Sequence, residues 1–148
     1  NIYGAGQKPF PVKKVVPNFV LSAINKKDLT VYGSGESQMD MIYVDDAARI
    51  LKATINNEVC FDKVIDMGTG IAPTVNEIAK TVISKSGSKV KLNHVPMRPG
   101  EDLHSIVCAD TKLMQEVLKI DPKTLKSFNE GIVPTIDYYR NWISKHYG

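Results

Sequence analysis

No run of this 148-residue sequence approaches the ~20 apolar residues that a membrane-spanning helix needs, and its start does not resemble a signal peptide. These absences predict a cytoplasmic protein with no membrane partner. The first residue is Asn1, not Met, so the true N-terminus is expected elsewhere. Cysteine is scarce: Cys60 and Cys108 lie far apart with no CxxC spacing. They read as small buried hydrophobes in a reducing compartment rather than a disulfide. His94, His104 and His146 lack an acid or cysteine at ligand spacing, which argues against a metal site. Only three of the 19 basic residues are arginine, and the net charge is +3. The basic residues are scattered singly or as pairs such as Lys13-Lys14. No tight basic cluster with interleaved aromatics offers a face to nucleic acid. Three chemical signatures are also missing. There is no Gly-x-Gly-x-x-Gly turn for a dinucleotide and no Gly-x-Ser-x-Gly elbow. None of the six tyrosines is followed four positions later by lysine, so the chain shows no general base for oxidising a sugar hydroxyl.

What is present is an ordinary globular composition, 43% hydrophobic and 24% charged. Short β-like runs alternate with helical ones, which predicts an α/β chain of one domain. Pro17 suits the first turn of a helix whose face carries Phe19, Val20, Ala23 and Ile24. Residues 29–32 read as a strand broken by Gly33-Ser34-Gly35. Residues 41–44 read as extended, with Asp45 or Asp46 capping the helix after them. Residues 63–67 read as another strand, ended by Gly68-Thr69-Gly70. Thr74 and Glu77 have capping-box spacing, and Val75, Ile78, Ala79, Val82 and Ile83 keep helical periodicity up to Ser86-Gly87-Ser88. Residues 89–95 alternate as a half-buried strand does. Asp110 is expected to cap a helix through Leu118, ended by Asp121-Pro122. Ser127 and Glu130 suggest a second capping box, and Pro134 is expected to kink or delay the last helix.

Candidate functional residues gather in loops. Arg98-Pro99-Gly100-Glu101 is a compact loop whose guanidinium suits phosphate oxygens; pairing of Arg98 with Glu101 is the alternative. Tyr32, ending a strand, either offers a flat face to a base or belongs to the core. Asn1 lies before a Gly-rich bend. The Gly68-Thr69-Gly70 turn lacks a third glycine and reads as structural.

Several segments in order carry a resemblance. Asn1-Ile2-Tyr3-Gly4-Ala5-Gly6-Gln7 resembles the Asn-x-Tyr-Gly-Pro segment of the extended short-chain dehydrogenase/reductase family. Val15 to Phe19 resembles the helix start that follows it. Leu29 to Gly35 resembles the family's strand and Gly-rich turn, and Asp40-Met41-Ile42-Tyr43-Val44-Asp45-Asp46 its Arg-Asp-Phe-Ile-Tyr-Val-Asp-Asp motif. Asp66 to Gly70, Arg98 to Glu101 and Ala109 to Lys112 match further motifs.

The resemblance implies an NAD-dependent epimerase, dehydratase or decarboxylase acting on a nucleoside diphosphate sugar, in which NAD transiently oxidises the sugar. Residues 1–148 would form the C-terminal, substrate-binding portion. The Rossmann domain, with the catalytic Tyr-x-x-x-Lys and most of the NAD site, would lie upstream. Residues 63–67 and the helix after them would complete the Rossmann sheet, and the full-length protein would be a homodimer. By the same resemblance Asn1 bonds near the pyrophosphate, and Lys14 and Val15 line the nucleotide site. Thr30 and Tyr32 hold the base, Arg98 clamps the pyrophosphate, and Glu101 bonds the ribose. Met39 stands where the family usually has a phosphate-clamping arginine, which leaves the sugar nucleotide open. A non-catalytic sugar-nucleotide binding module and a bare interaction scaffold are the alternative readings. The chain by itself is expected to be inactive and to self-associate.

Overall fold

The computed structural model describes residues 1–102 and 104–147, the side chains of residues 146 and 147 excepted, so the reading of the His146 side chain lies outside what is described. Its elements are β1 (Ile2–Tyr3), α1 (Val15–Ile24), β2 (Leu29–Tyr32), β3 (Gln38–Met39), β4 (Ile42–Tyr43), α2 (Val44–Thr54), α3 (Val75–Ser86), β5 (Leu92–Val95), β6 (Ile106–Val107), α4 (Lys112–Leu118) and α5 (Phe128–Tyr147). The strands form three separate parallel pairs, β1–β4, β2–β5 and β3–β6. Parallel partners cannot be joined by a tight turn, so each pair is closed by a long crossover. The fold class is the α/β mixture that the alternating sequence predicts.

Two apolar clusters hold these parts together. In the larger, α1 and α3 pack on β2 and α5 packs on both helices, through Phe19, Val20, Val31, Ile78, Val82, Ile132 and Ile136. The smaller joins α2 to α4 through Ile42, Ala47, Ile50, Met114 and Leu118. Both capping boxes form. The Thr74 hydroxyl accepts from the Glu77 amide at 3.1 Å while the Glu77 carboxylate accepts from the Thr74 amide at 2.8 Å. Ser127 and Glu130 repeat the exchange before α5. Gly87, at φ +69°, ends α3 in the left-handed conformation that glycine adopts without penalty.

Several expectations need correction. Residues 63–67 have no strand partner among the described residues, and Val64 is 88% exposed. An apolar β-like run becomes a strand only when another edge bonds it; the resemblance assigns that edge to a Rossmann sheet, and no described residue supplies one. Neither Asp45 nor Asp46 caps α2; both lie in its first turn. Asp46 is buried instead, accepting from the Lys126 amide at 2.7 Å and from Arg49 at 3.1 Å. Asp110 accepts from the Lys112 amide at 3.1 Å, but the α4 cap position is Thr111. That helix runs through Leu118 as expected, but Lys119 at φ +57° ends it rather than Asp121-Pro122, which starts a separate 3-10 turn. Pro134 does not delay α5, which begins at Phe128 and contains it. The cysteines are free, but neither is buried: Cys60 is half-buried and Cys108 exposed.

Candidate functional site

The parallel register of β2 and β5 decides where the cavity lies. Tyr32 pairs with Val95, and the Gly33 amide donates to the Val95 carbonyl at 2.8 Å. Both strands therefore deliver their carboxyl ends to one edge, the usual place for ligands in parallel α/β structures. Tyr32 closes β2 at that edge. The loop after β5 brings Met97 and Arg98 to it. Facing this edge are the amino ends of β3 and β6, where the Gln38 amide donates to the Ser105 carbonyl at 2.8 Å. Alternation along β2 sends Leu29 and Val31 into the core and leaves Thr30 and Tyr32 more accessible.

Between these edges and the start of α1 is a cavity of about 330 Å³. Its lining includes Lys14, Val15, Thr30, Tyr32, Arg98 and Glu101. Six of the seven residues singled out in the sequence thus share one concavity. Asn1 does not line it. It borders an adjoining cavity of about 260 Å³ that shares Lys13, Lys14, Val15 and Met39 with the first. Asn1 is tied to the β3–β4 link: its Nδ2 donates to the Asp40 carbonyl at 3.2 Å, and its own carbonyl accepts from the Ile42 amide at 3.0 Å.

Arg98 has two partners. Its Cζ lies 4.3 Å from the centroid of the Tyr32 ring, and its Nε is 3.3 Å from Glu101 Oε1. Of the two readings of Arg98, the pairing with Glu101 is the one that forms, and Tyr32, 37% exposed, is not a core residue. The Arg98 and Glu101 side chains are each about half exposed. Such a pair contributes ~0–1 kcal/mol, less than the ~1.5–3 kcal/mol of a charged hydrogen bond to a buried or preorganised anion. Arg98 is therefore held in place yet free to exchange its carboxylate partner for a phosphate. At the start of α1, Lys14 provides no side-chain cap, and Pro17 has no amide hydrogen. The Val15 and Val16 amides remain as first-turn donors beside the two lysines.

The Gly68-Thr69-Gly70 turn does not fit a dinucleotide. Asp40, 4% exposed, already fills it: Oδ1 accepts from the Thr69 amide at 3.0 Å and Oδ2 from the Gly70 amide at 2.8 Å. Thr69 Oγ1 donates to the same carboxylate at 2.6 Å. A Cβ on Gly68 would lie 2.5 Å from Asp40 Oδ2, so close approach to this internal anion demands glycine. Among the described residues no group of acids, histidines and cysteines is arranged to hold a metal ion. Sequence reasoning missed Asp40, whose role needs a turn about thirty residues away. It also missed Lys13, which looked like scattered surface charge until folding set it beside the cavity.

Residues 1–67 match the model of the NAD dependent epimerase/dehydratase family. Among curated proteins, the chain is 29% identical to UDP-N-acetyl-alpha-D-glucosaminuronate decarboxylase of Bacillus cytotoxicus, covering 95% of this chain and 44% of that protein. It is 28% identical to dTDP-glucose 4,6-dehydratase of Streptomyces niveus, over 95% of this chain and 40% of that one. Among solved structures it superimposes on UDP-glucose 4-epimerase of Thermotoga maritima, crystallised with UDP-glucose. There the TM-score is 0.81 and the identity 28%, covering 97% of this chain and 44% of that one. The chain thus spans about two fifths of the length of the proteins it matches.

Proposed function

We propose that this chain, a relative in sequence and fold of the NAD-dependent epimerases and dehydratases of nucleotide sugars, is the substrate-gripping portion of such an enzyme. One observation carries the reading: Tyr32, Arg98, Glu101, Thr30, Lys14 and Val15, drawn from three separate parts of the sequence, line a single cavity. Its chemistry suits a nucleoside diphosphate. The Tyr32 ring offers a flat apolar face to a base, Thr30 a polar neighbour, and Glu101 an acceptor for ribose hydroxyls. Arg98 and Lys14 supply cations for the diphosphate, and Asn1 borders the adjoining cavity into which the sugar would extend.

On this reading the contribution of residues 1–148 is orientation. Holding the nucleotide at fixed points converts a bimolecular encounter into a positioned one. When bound, NAD supplies reversible oxidation of the sugar. The residues present hold no dinucleotide turn, so the NAD site and the Tyr-x-x-x-Lys base are assigned to a further domain of the protein. The exposed apolar residues between 51 and 64 are the face on which that domain would pack.

The test is calorimetry on the full-length protein with UDP- and dTDP-sugars, paired with a turnover assay. Tyr32→Ala and Arg98→Ala are each expected to weaken binding by about ten-fold, since stacking on a base and a charged phosphate contact are each worth ~1–3 kcal/mol. Failure of the wild-type protein to bind any such sugar nucleotide overturns the reading. Binding without turnover supports a non-catalytic module of the same fold.

A further inference from the structure

Lys13, Lys14, Val15 and Met39 line both cavities and so form the ridge between them. Charge is uneven across this ridge. The larger cavity sets Lys13, Lys14 and Arg98 against Glu101 and Asp102, whereas the smaller has Lys13 and Lys14 and no acid. Arg98 is already 3.3 Å from Glu101, but neither lysine takes part in an ion pair among the described residues. Met39, on the same ridge, is apolar and offers no donor. An anion crossing from one cavity to the other therefore meets its positive charge from the Lys13-Lys14 segment. Lys14 has extended backbone, φ −88° and ψ 149°. Successive side chains on extended backbone leave in different directions, yet Lys13 and Lys14 both line both cavities, so the two lysines reach the ridge by separate paths.

We infer that Lys13 is a specificity-determining residue: its ammonium binds the outer phosphate of a nucleoside diphosphate at the ridge and separates diphosphates from monophosphates. The inference rests on the larger cavity being the nucleotide site. It adds a residue to that site and gives the ridge, where Met39 contributes no charge, a cation of its own.

Titration of the full-length protein with UDP, dTDP, UMP and dTMP tests it. Lys13→Ala is expected to weaken diphosphate binding by about ten-fold, the scale of one charged hydrogen bond, and to leave monophosphate binding unchanged. Lys13→Arg, which keeps the charge, is expected to retain diphosphate binding. Lys13 is exposed, so neither substitution disturbs the core, and circular dichroism checks that the fold is intact. Unaltered diphosphate affinity in Lys13→Ala, or an equal loss for mono- and diphosphates, overturns the role of Lys13 while the nucleotide site stands. A wild-type protein that binds none of the four overturns the site itself, and the inference with it.

Discussion

Arg98 shows how one side chain is kept ready without being locked. Its stacking on Tyr32 and its pairing with Glu101 are both surface interactions, each worth about 1 kcal/mol or less. Tyr139 is the opposite case, 1% exposed, with its hydroxyl donating to the Gln7 carbonyl. Burial, helped by the neighbouring Tyr138, raises its pKa from 10.0 to about 12. Tyr3, also buried, is pushed up as well, by burial and then by Tyr43 and the nearby acids. The folded state thus holds these protons more tightly than the unfolded chain does. Their contribution to stability is complete below pH 10 and is lost as pH rises toward about 12. Urea unfolding across that window should show falling stability. In a tyrosinate absorbance titration, Tyr139→Phe should remove one late-ionising group. A native protein whose tyrosines all ionise with the unfolded chain would contradict this.

At the scale of elements, the strands are short and their positions depend on anchors from elsewhere. Asp40 is the main one, bonding the Thr69 and Gly70 amides and lying 3.4 Å from the Ala109 amide. It thereby fixes the 68–70 turn to the end of β3, whose other neighbours line the cavity. Asp40→Ala removes the charged acceptor of two part-buried amide bonds, each worth ~1.5–3 kcal/mol. A loss of about 3 kcal/mol is expected, read as a lower urea midpoint at unchanged slope. A shift of under ~0.5 kcal/mol, typical of surface substitutions, would show that the turn does not depend on this carboxylate. Helix α3 is also anchored remotely, its Val75 and Asn76 amides donating to the Ser37 and Gly35 carbonyls, but Thr74, Glu77 and Gly87 define both its ends locally as well. That difference explains why α3 was legible in the sequence while no strand forms at residues 63–67 among the described residues. Val64 and Ile65 have the composition of a strand, but pairing requires an edge, and composition cannot say whether one is present.

Across the whole molecule, exposed large apolar residues occur in several places, and one run of them lies between residues 51 and 64. Leu51, Ile55, Val59, Phe61 and Val64 are each more than half exposed, while Ile50, Cys60 and Ile65 nearby belong to or pack against the smaller core. Exposed apolar surface of this kind marks a contact face. The 1–148 chain expressed by itself is expected to self-associate, with light-scattering mass rising with concentration. Leu51→Lys with Val64→Lys should suppress the rise, and a wild-type monomer at every concentration would count against such a face. The sequence by itself determined the α/β class, the two capping boxes, the β2 and β5 strands and six residues of the cavity. Each of these depends on neighbours a few positions away or on a short motif. Only the tertiary structure decided that Arg98 stacks on Tyr32, that Asp40 occupies the glycine turn, that Lys13 stands on a ridge between two cavities, and that residues 63–67 lack a partner among the described residues. Those outcomes depend on the parallel register of distant strands and on the presence or absence of a bonding edge, which no local pattern encodes.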